Sequence, residues 1–140
     1  MPPLLLMMAI AINLLAAMWL ALVGLGMFFQ PERMRTLLSK AGSTPLINYG
    51  ELGLRCLWGA AMYLIAEYTA FATTFSIMGG FIVLSSIALM LIPRQWHAAY
   101  SQRCAQQLSH RSIRLLSPIT LVFAYGLAVA VWPASHSLVW

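Results

Sequence analysis

Apolar residues fill the chain from Pro3 to Phe29 with one strongly polar interruption, Asn13, and no charge. A helix needs about 20 apolar residues to cross a bilayer core, so this run predicts a first membrane span over 3–29. A signal peptide would open on Lys or Arg and keep its apolar core to about 7–15 residues. Here the first basic residue is Arg33, which predicts a helix that stays in the membrane. Pro2 and Pro3 suit a helix start, where a missing N–H costs nothing. The pattern then changes. Met34, Leu37, Leu38 and Ala41 recur at helical spacing among polar neighbours. With Pro31 at its start and Gly42 at its stop, the segment 31–41 predicts a short amphipathic helix in the headgroup layer.

Thr44-Pro45 supplies an N-cap and a first-turn proline for a second span over 46–68. Its interior carries charge: Glu51, Arg55 and, near its far end, Glu67. A short turn leads to a third span over 74–92, with Gly79-Gly80 inside it. From Pro93 onward polar residues dominate. Trp96, Tyr100, Cys104 and Leu108 fall four apart, and Arg103, Gln107, His110, Arg111 and Arg114 run along an adjoining face. This predicts a second interfacial helix over 94–112 that merges toward a fourth span over 115–132. Ser117-Pro118 marks a kink or a new start, and 133–140 is a short tail. The expected fold class is all-α: a polytopic membrane protein forming one membrane domain over 1–140. It has four transmembrane helices in a four-helix bundle, with two short amphipathic interfacial helices.

Composition removes the alternatives. Of the 140 residues, 61% are hydrophobic and 8% charged, against about 25% charged in an ordinary soluble domain. So small a domain has too high a surface-to-volume ratio to hide that much apolar surface. Disordered chains, for their part, are poor in apolar residues. The net charge of +5 reflects placement rather than affinity for nucleic acid. Arg33, Arg35 and Lys40 lie in the first loop, and Arg94, Arg103, Arg111 and Arg114 in the third. The positive-inside rule therefore puts loops one and three in the cytoplasm and both termini outside. These seven basic residues, with Trp96 and Tyr100, are the expected contacts to lipid headgroups, chiefly anionic ones.

The eighth basic residue, Arg55, is not explained by topology. It lies roughly 15 Å into its helix by the helical rise, where a charge costs about 2.5–3.5 kcal/mol on insertion scales. Glu51 is one turn earlier on the same face, in the favoured acid-before-base order. The two are expected to form an intramembrane pair. It either fixes helix register near the cytoplasmic interface or lies on a substrate or proton path. Glu67 is a second intramembrane acid at the outer boundary of the helix. Gly24, Gly26, Gly59, Gly79 and Gly80 are expected to let helix backbones approach, with Asn13, Ser85 and Ser86 bonding across helices.

Catalytic chemistry has few tools here. Cys56 and Cys104 make neither a disulfide framework nor a zinc spacing. His97, His110 and His136 are not placed to face one another as haem ligands. No Asp exists to hold metal, and Ser109-His110 and Ser135-His136 lack an acid to complete a nucleophile. No catalytic residue, metal or cofactor is expected. The two halves share an outline of span, proline, basic segment and span, consistent with a duplicated hairpin or with any four-span chain.

Four stretches carry a resemblance: Phe28-Phe29-Gln30-Pro31-Glu32-Arg33, Leu54-Arg55-Cys56-Leu57-Trp58-Gly59-Ala60-Ala61, Gly79-Gly80-Phe81 and Leu91-Ile92-Pro93-Arg94. In these the chain resembles small four-span bacterial inner-membrane proteins that have no assigned activity. The resemblance covers half the chain, implies a bacterial inner membrane and transfers no active site. Small multidrug transporters share the length and span count but carry a Glu in the first span, which is absent here. The expected role is a non-enzymatic accessory or scaffold subunit, packed against a larger membrane assembly or further copies and against anionic lipid. The alternatives are a small transporter or channel component built on Arg55 and Glu51, and a lipid- or quinone-directed enzyme using His97, Arg103 or His110.

Overall fold

Apolar runs punctuated by proline give a chain in which every regular element among the described residues is helical. The computed structural model describes residues 2–136. In chain order it contains α1 (Pro3–Phe29), α2 (Pro31–Ser39), α3 (Pro45–Ile65), a single 3₁₀ turn (Ala66–Tyr68), α4 (Ala72–Leu91), α5 (Arg94–Gln107) and α6 (His110–His136). Proline sits at the first turn of α1, α2 and α3, where its fixed φ suits the helix and its missing donor is harmless. Thr44 caps α3, its hydroxyl accepting from the Ile47 N–H at 3.1 Å. Gly42 closes the α2–α3 turn with φ +73°, a conformation that costs glycine little because it has no Cβ.

Three helices, α1, α4 and α6, are long and apolar enough to cross a membrane. The α3 helix is comparable in length at 21 residues, but Asn48, Glu51 and Arg55 dilute its apolar content. It ends at Ile65, so the expected span over 46–68 loses its last turn to the 3₁₀ segment. A second difference lies between α5 and α6. Leu108 is extended, and the Ser109 hydroxyl accepts from the Ser112 N–H at 3.1 Å. That cap starts α6 well before residue 115 and ends the preceding helix at Gln107 rather than 112. The α6 helix then runs unbroken through Pro118 and Pro133, because packed neighbours hold a helix together where proline removes one bond. It takes in much of the expected tail; residues 137–140 lie outside the described residues.

Helix packing does not follow chain order. The α1 helix packs along α6 and α3 along α4, with α1 bridging to α3, while α2 packs on α5. The pairs are antiparallel. Gly24 near the end of α1 meets Leu121 near the start of α6, and Gly59 of α3 meets Gly79 of α4. The α4 helix packs on α3 and makes no comparable contact with α1 or α6, so neighbouring helices follow the order α6, α1, α3, α4.

The buried apolar core lies at one end of these helices, beside the α3–α4 turn. Leu6, Ala9 and Ile10 of α1 meet Met62 and Ile65 of α3, Phe75 of α4, and Leu127 and Val131 of α6 there. The opposite end, near α2 and α5, contributes nothing to this cluster, and there the helices leave a cavity.

Candidate functional site

The cavity has a volume of about 540 Å³ and lies under α2. Its walls are apolar: Trp19, Val23 and Met27 from α1, Ile47 from α3, Ile113 and Leu116 from α6, with Met34 and Leu38 of α2 above. Three charged residues join them, Glu51 from α3 and Arg35 and Lys40 from α2 and its C-cap. Such a volume falls in the range of small-ligand sites, which combine apolar walls with a few convergent polar groups.

Arg35 is committed within the protein. Its Nε donates to Ala105 O at 2.6 Å and its Nη2 to Gln106 O at 3.4 Å. These carbonyls end α5, where orphan acceptors and the helix dipole favour a cation. Arg94 is also turned inward, its Nη1 donating to Gly42 O at 3.0 Å and Ser43 O at 2.8 Å. Both residues were expected to reach lipid headgroups; instead Arg35 ties α2 to the end of α5, and Arg94 ties the α2–α3 loop to its start. Carbonyls at a turn and at a helix end lack backbone partners, and a guanidinium satisfies two at once. Lys40, Arg103, Arg111, Arg114, Trp96 and Tyr100 are exposed, as is Arg33, whose Nη1 donates to Gln30 Oε1 at 3.4 Å. The Cys104 thiol beside Tyr100, through a side-chain hydrogen bond, pushes its phenol above the ordinary value.

Glu51 and Arg55 do not form the expected ion pair. Both are half-buried; Glu51 lines the cavity and Arg55 does not. An exposed pair at this spacing contributes only about 0.3–0.5 kcal/mol, too little to dictate side-chain placement. Glu67 is exposed in the 3₁₀ turn, beyond the end of α3, rather than inside the helix.

The glycines divide sharply. A Cβ on Gly79 would lie 2.6 Å from Gly59 O, and one on Gly59 would lie 2.8 Å from Gly79 O, so these backbones touch. Gly24 abuts the Leu121 side chain and Gly26 the Met34 side chain, whereas Gly80 has nothing within 4 Å. Gly80 therefore makes no close helix approach of the kind expected of it. Asn13, Ser85 and Ser86 do not bond across helices either. Asn13 Nδ2 donates to Ala9 O, and both serines donate to Ile82 O, all within their own helices. A bond that does cross is Ser117 Oγ of α6 donating to Gly24 O of α1 at 2.6 Å.

The contact that sequence reasoning missed joins α3 to α5. Asn48, 1% exposed, meets His97 with Oδ1 2.7 Å from Nδ1. An amide oxygen only accepts, so the proton lies on His97 Nδ1, and Asn48 Nδ2 is left without a partner. A signal existed: His97, Ser101 and Ala105 are four apart, and together they form the buried face of α5. The aromatic stripe of Trp96 and Tyr100 lies on the outward face of the same helix. Among the described residues, no three His, Cys, Asp or Glu side chains gather where they could hold a metal ion. The chain matches no protein-family model, no curated protein and no solved structure.

Proposed function

We propose that this is a four-span protein of a bacterial inner membrane, with both termini outside and the α1–α3 and α4–α6 loops cytoplasmic. The α3–α4 hairpin supports the fourth span. At 1.5 Å per residue α3 is about 30 Å long, the thickness of a bilayer core, and it lies antiparallel along α4. If α4 crosses, its partner crosses with it. In this reading α2 and α5 lie at the cytoplasmic headgroups. Single cysteines in a background lacking Cys56 and Cys104 test the topology. With an impermeant maleimide on intact cells, Ala70→Cys is expected to label, and Ser43→Cys and Gln107→Cys only after permeabilisation. Labelling of residues 43 and 70 from the same side would reject the fourth span.

The role proposed is that of a non-enzymatic accessory subunit docked to a larger membrane protein. One observation carries it: α4 is packed on a single flank. Its open face presents Ile77, Phe81 and Leu84, 66–70% exposed, around the bare Gly80. Lipid covers apolar side chains as well as protein does, but small residues let another helix approach closely. Mild-detergent purification followed by mass spectrometry is expected to recover a stoichiometric membrane partner that Gly80→Leu displaces. Recovery of a lone monomer would reject the reading. Transport built on Arg55 has less support, since that residue does not line the cavity.

A further inference from the structure

Glu51 is a half-buried carboxylate in a largely apolar cavity wall, and it makes no ion pair among the described residues. A charge in such a setting needs a counterion or it becomes costly, and Arg55, one turn away, does not supply one. Two cations line the same cavity. Arg35 already donates to the α5 carbonyls; Lys40, exposed, has no partner among the described residues. The cavity thus offers, among the described residues, one unpaired acid, one unpaired base and an apolar chamber of about 540 Å³. A purely anionic amphiphile would satisfy Lys40 but face Glu51. A cationic one would satisfy Glu51 but face Lys40 and Arg35.

We propose that this cleft binds one phospholipid with a zwitterionic, primary-ammonium headgroup. Its acyl chain lies against Trp19, Met27 and Leu116, its phosphate meets Lys40, and its ammonium donates to Glu51. The proposal rests on the membrane placement above only in setting α2 at headgroup depth. The binding measurement is made in detergent, so its outcome is separable from the topology labelling.

Trp19 is the reporter, with Trp58, Trp96, Trp132 and Trp140 replaced by Phe. In dodecyl maltoside micelles, phosphatidylethanolamine brominated on its acyl chains is expected to quench Trp19 saturably. Unlabelled phosphatidylethanolamine should compete about tenfold better than phosphatidylglycerol or diacylglycerol, the equivalent of roughly 1.4 kcal/mol. Soluble phosphoethanolamine should not compete, because it lacks the chain. Glu51→Gln should erase the preference for ethanolamine over glycerol headgroups, and Lys40→Gln should weaken both phospholipids. Arg55→Gln, which removes a charge outside the cleft, should change neither; circular dichroism and monodispersity confirm that each variant folds. Equal competition by all three lipids would mean that Trp19 senses only surrounding lipid, and would overturn the proposal. So would tighter binding of phosphatidylglycerol, or a preference that survives Glu51→Gln.

Discussion

Replacing Gly79 by alanine is expected to unseat α4 from α3, while the same change one residue later leaves the hairpin intact. A Cβ on Gly79 would stand 2.6 Å from Gly59 O and 2.7 Å from Tyr63 N. Both obstacles are backbone atoms, which cannot rotate aside as a side chain can. The helices must therefore separate along their crossing, and overpacking of this kind costs about 1–3 kcal/mol. Alanine recovers at most about 1 kcal/mol of helix propensity over glycine. At Gly80 that gain meets no opposing clash, because nothing lies within 4 Å. Thermal unfolding in detergent should therefore show a lowered midpoint for Gly79→Ala and an unchanged or raised one for Gly80→Ala. Gly59→Ala should resemble Gly79→Ala. The two lesions share one contact, so the double variant should lose less than the sum of the singles. Equal midpoints for Gly79→Ala and Gly80→Ala would show that the close approach does not hold the hairpin. In a membrane the consequence is larger than in water, since lipid tails solvate separated apolar helices as well as packing does.

The second large effect is expected from His97→Leu. Asn48 is 1% exposed, and the His97 ring is its partner. Removing the ring leaves both ends of a buried amide unsatisfied, since Asn48 Nδ2 already lacks an acceptor. An orphaned buried polar group costs about 1–3 kcal/mol. The loss should be local at first, freeing α5 from α3 while α1, α6 and the distant core persist. Cys104, half-buried on α5, reports on this directly: its rate of alkylation should rise in His97→Leu. Replacing both partners by leucine should restore much of the lost stability, because no polar group is then stranded. A double variant as labile as His97→Leu would place the damage in lost ring packing rather than in the hydrogen bond.

These expectations separate what local chemistry dictates from what packing dictates. The helical class, the uninterrupted apolar lengths of α1 and α4, and the proline starts of α2 and α3 were legible from neighbouring residues. Each depends on an apolar run, a cap or a fixed φ within one or two turns. The α5–α6 break was legible in principle, because Ser109 and Ser112 make a local cap. The basic residues hid it by suggesting one continuous polar face. Which glycines matter was not legible. Gly79 and Gly80 are chemically identical neighbours, and only the direction of α3 relative to α4 distinguishes them.

The candidate site follows the same division. Glu51 stood out because a charge amid apolar residues is costly wherever it lies, but its setting could not be inferred. Spacing placed Arg55 within reach, whereas the structure has Glu51 lining the cleft and Arg55 elsewhere. Lys40 and Trp19, which share that cleft, lie on segments whose meeting depends on α2 folding back beneath α5. By itself the sequence determined that the chain is helical and has the apolar character of a membrane protein, since length and hydropathy are properties of each segment alone. Only the tertiary structure decided that α1 pairs with α6, that Arg35 and Arg94 turn inward, and that Asn48 meets His97. Those outcomes depend on the shapes and unmet hydrogen bonds of residues about 50 to 90 positions apart, which no local pattern encodes.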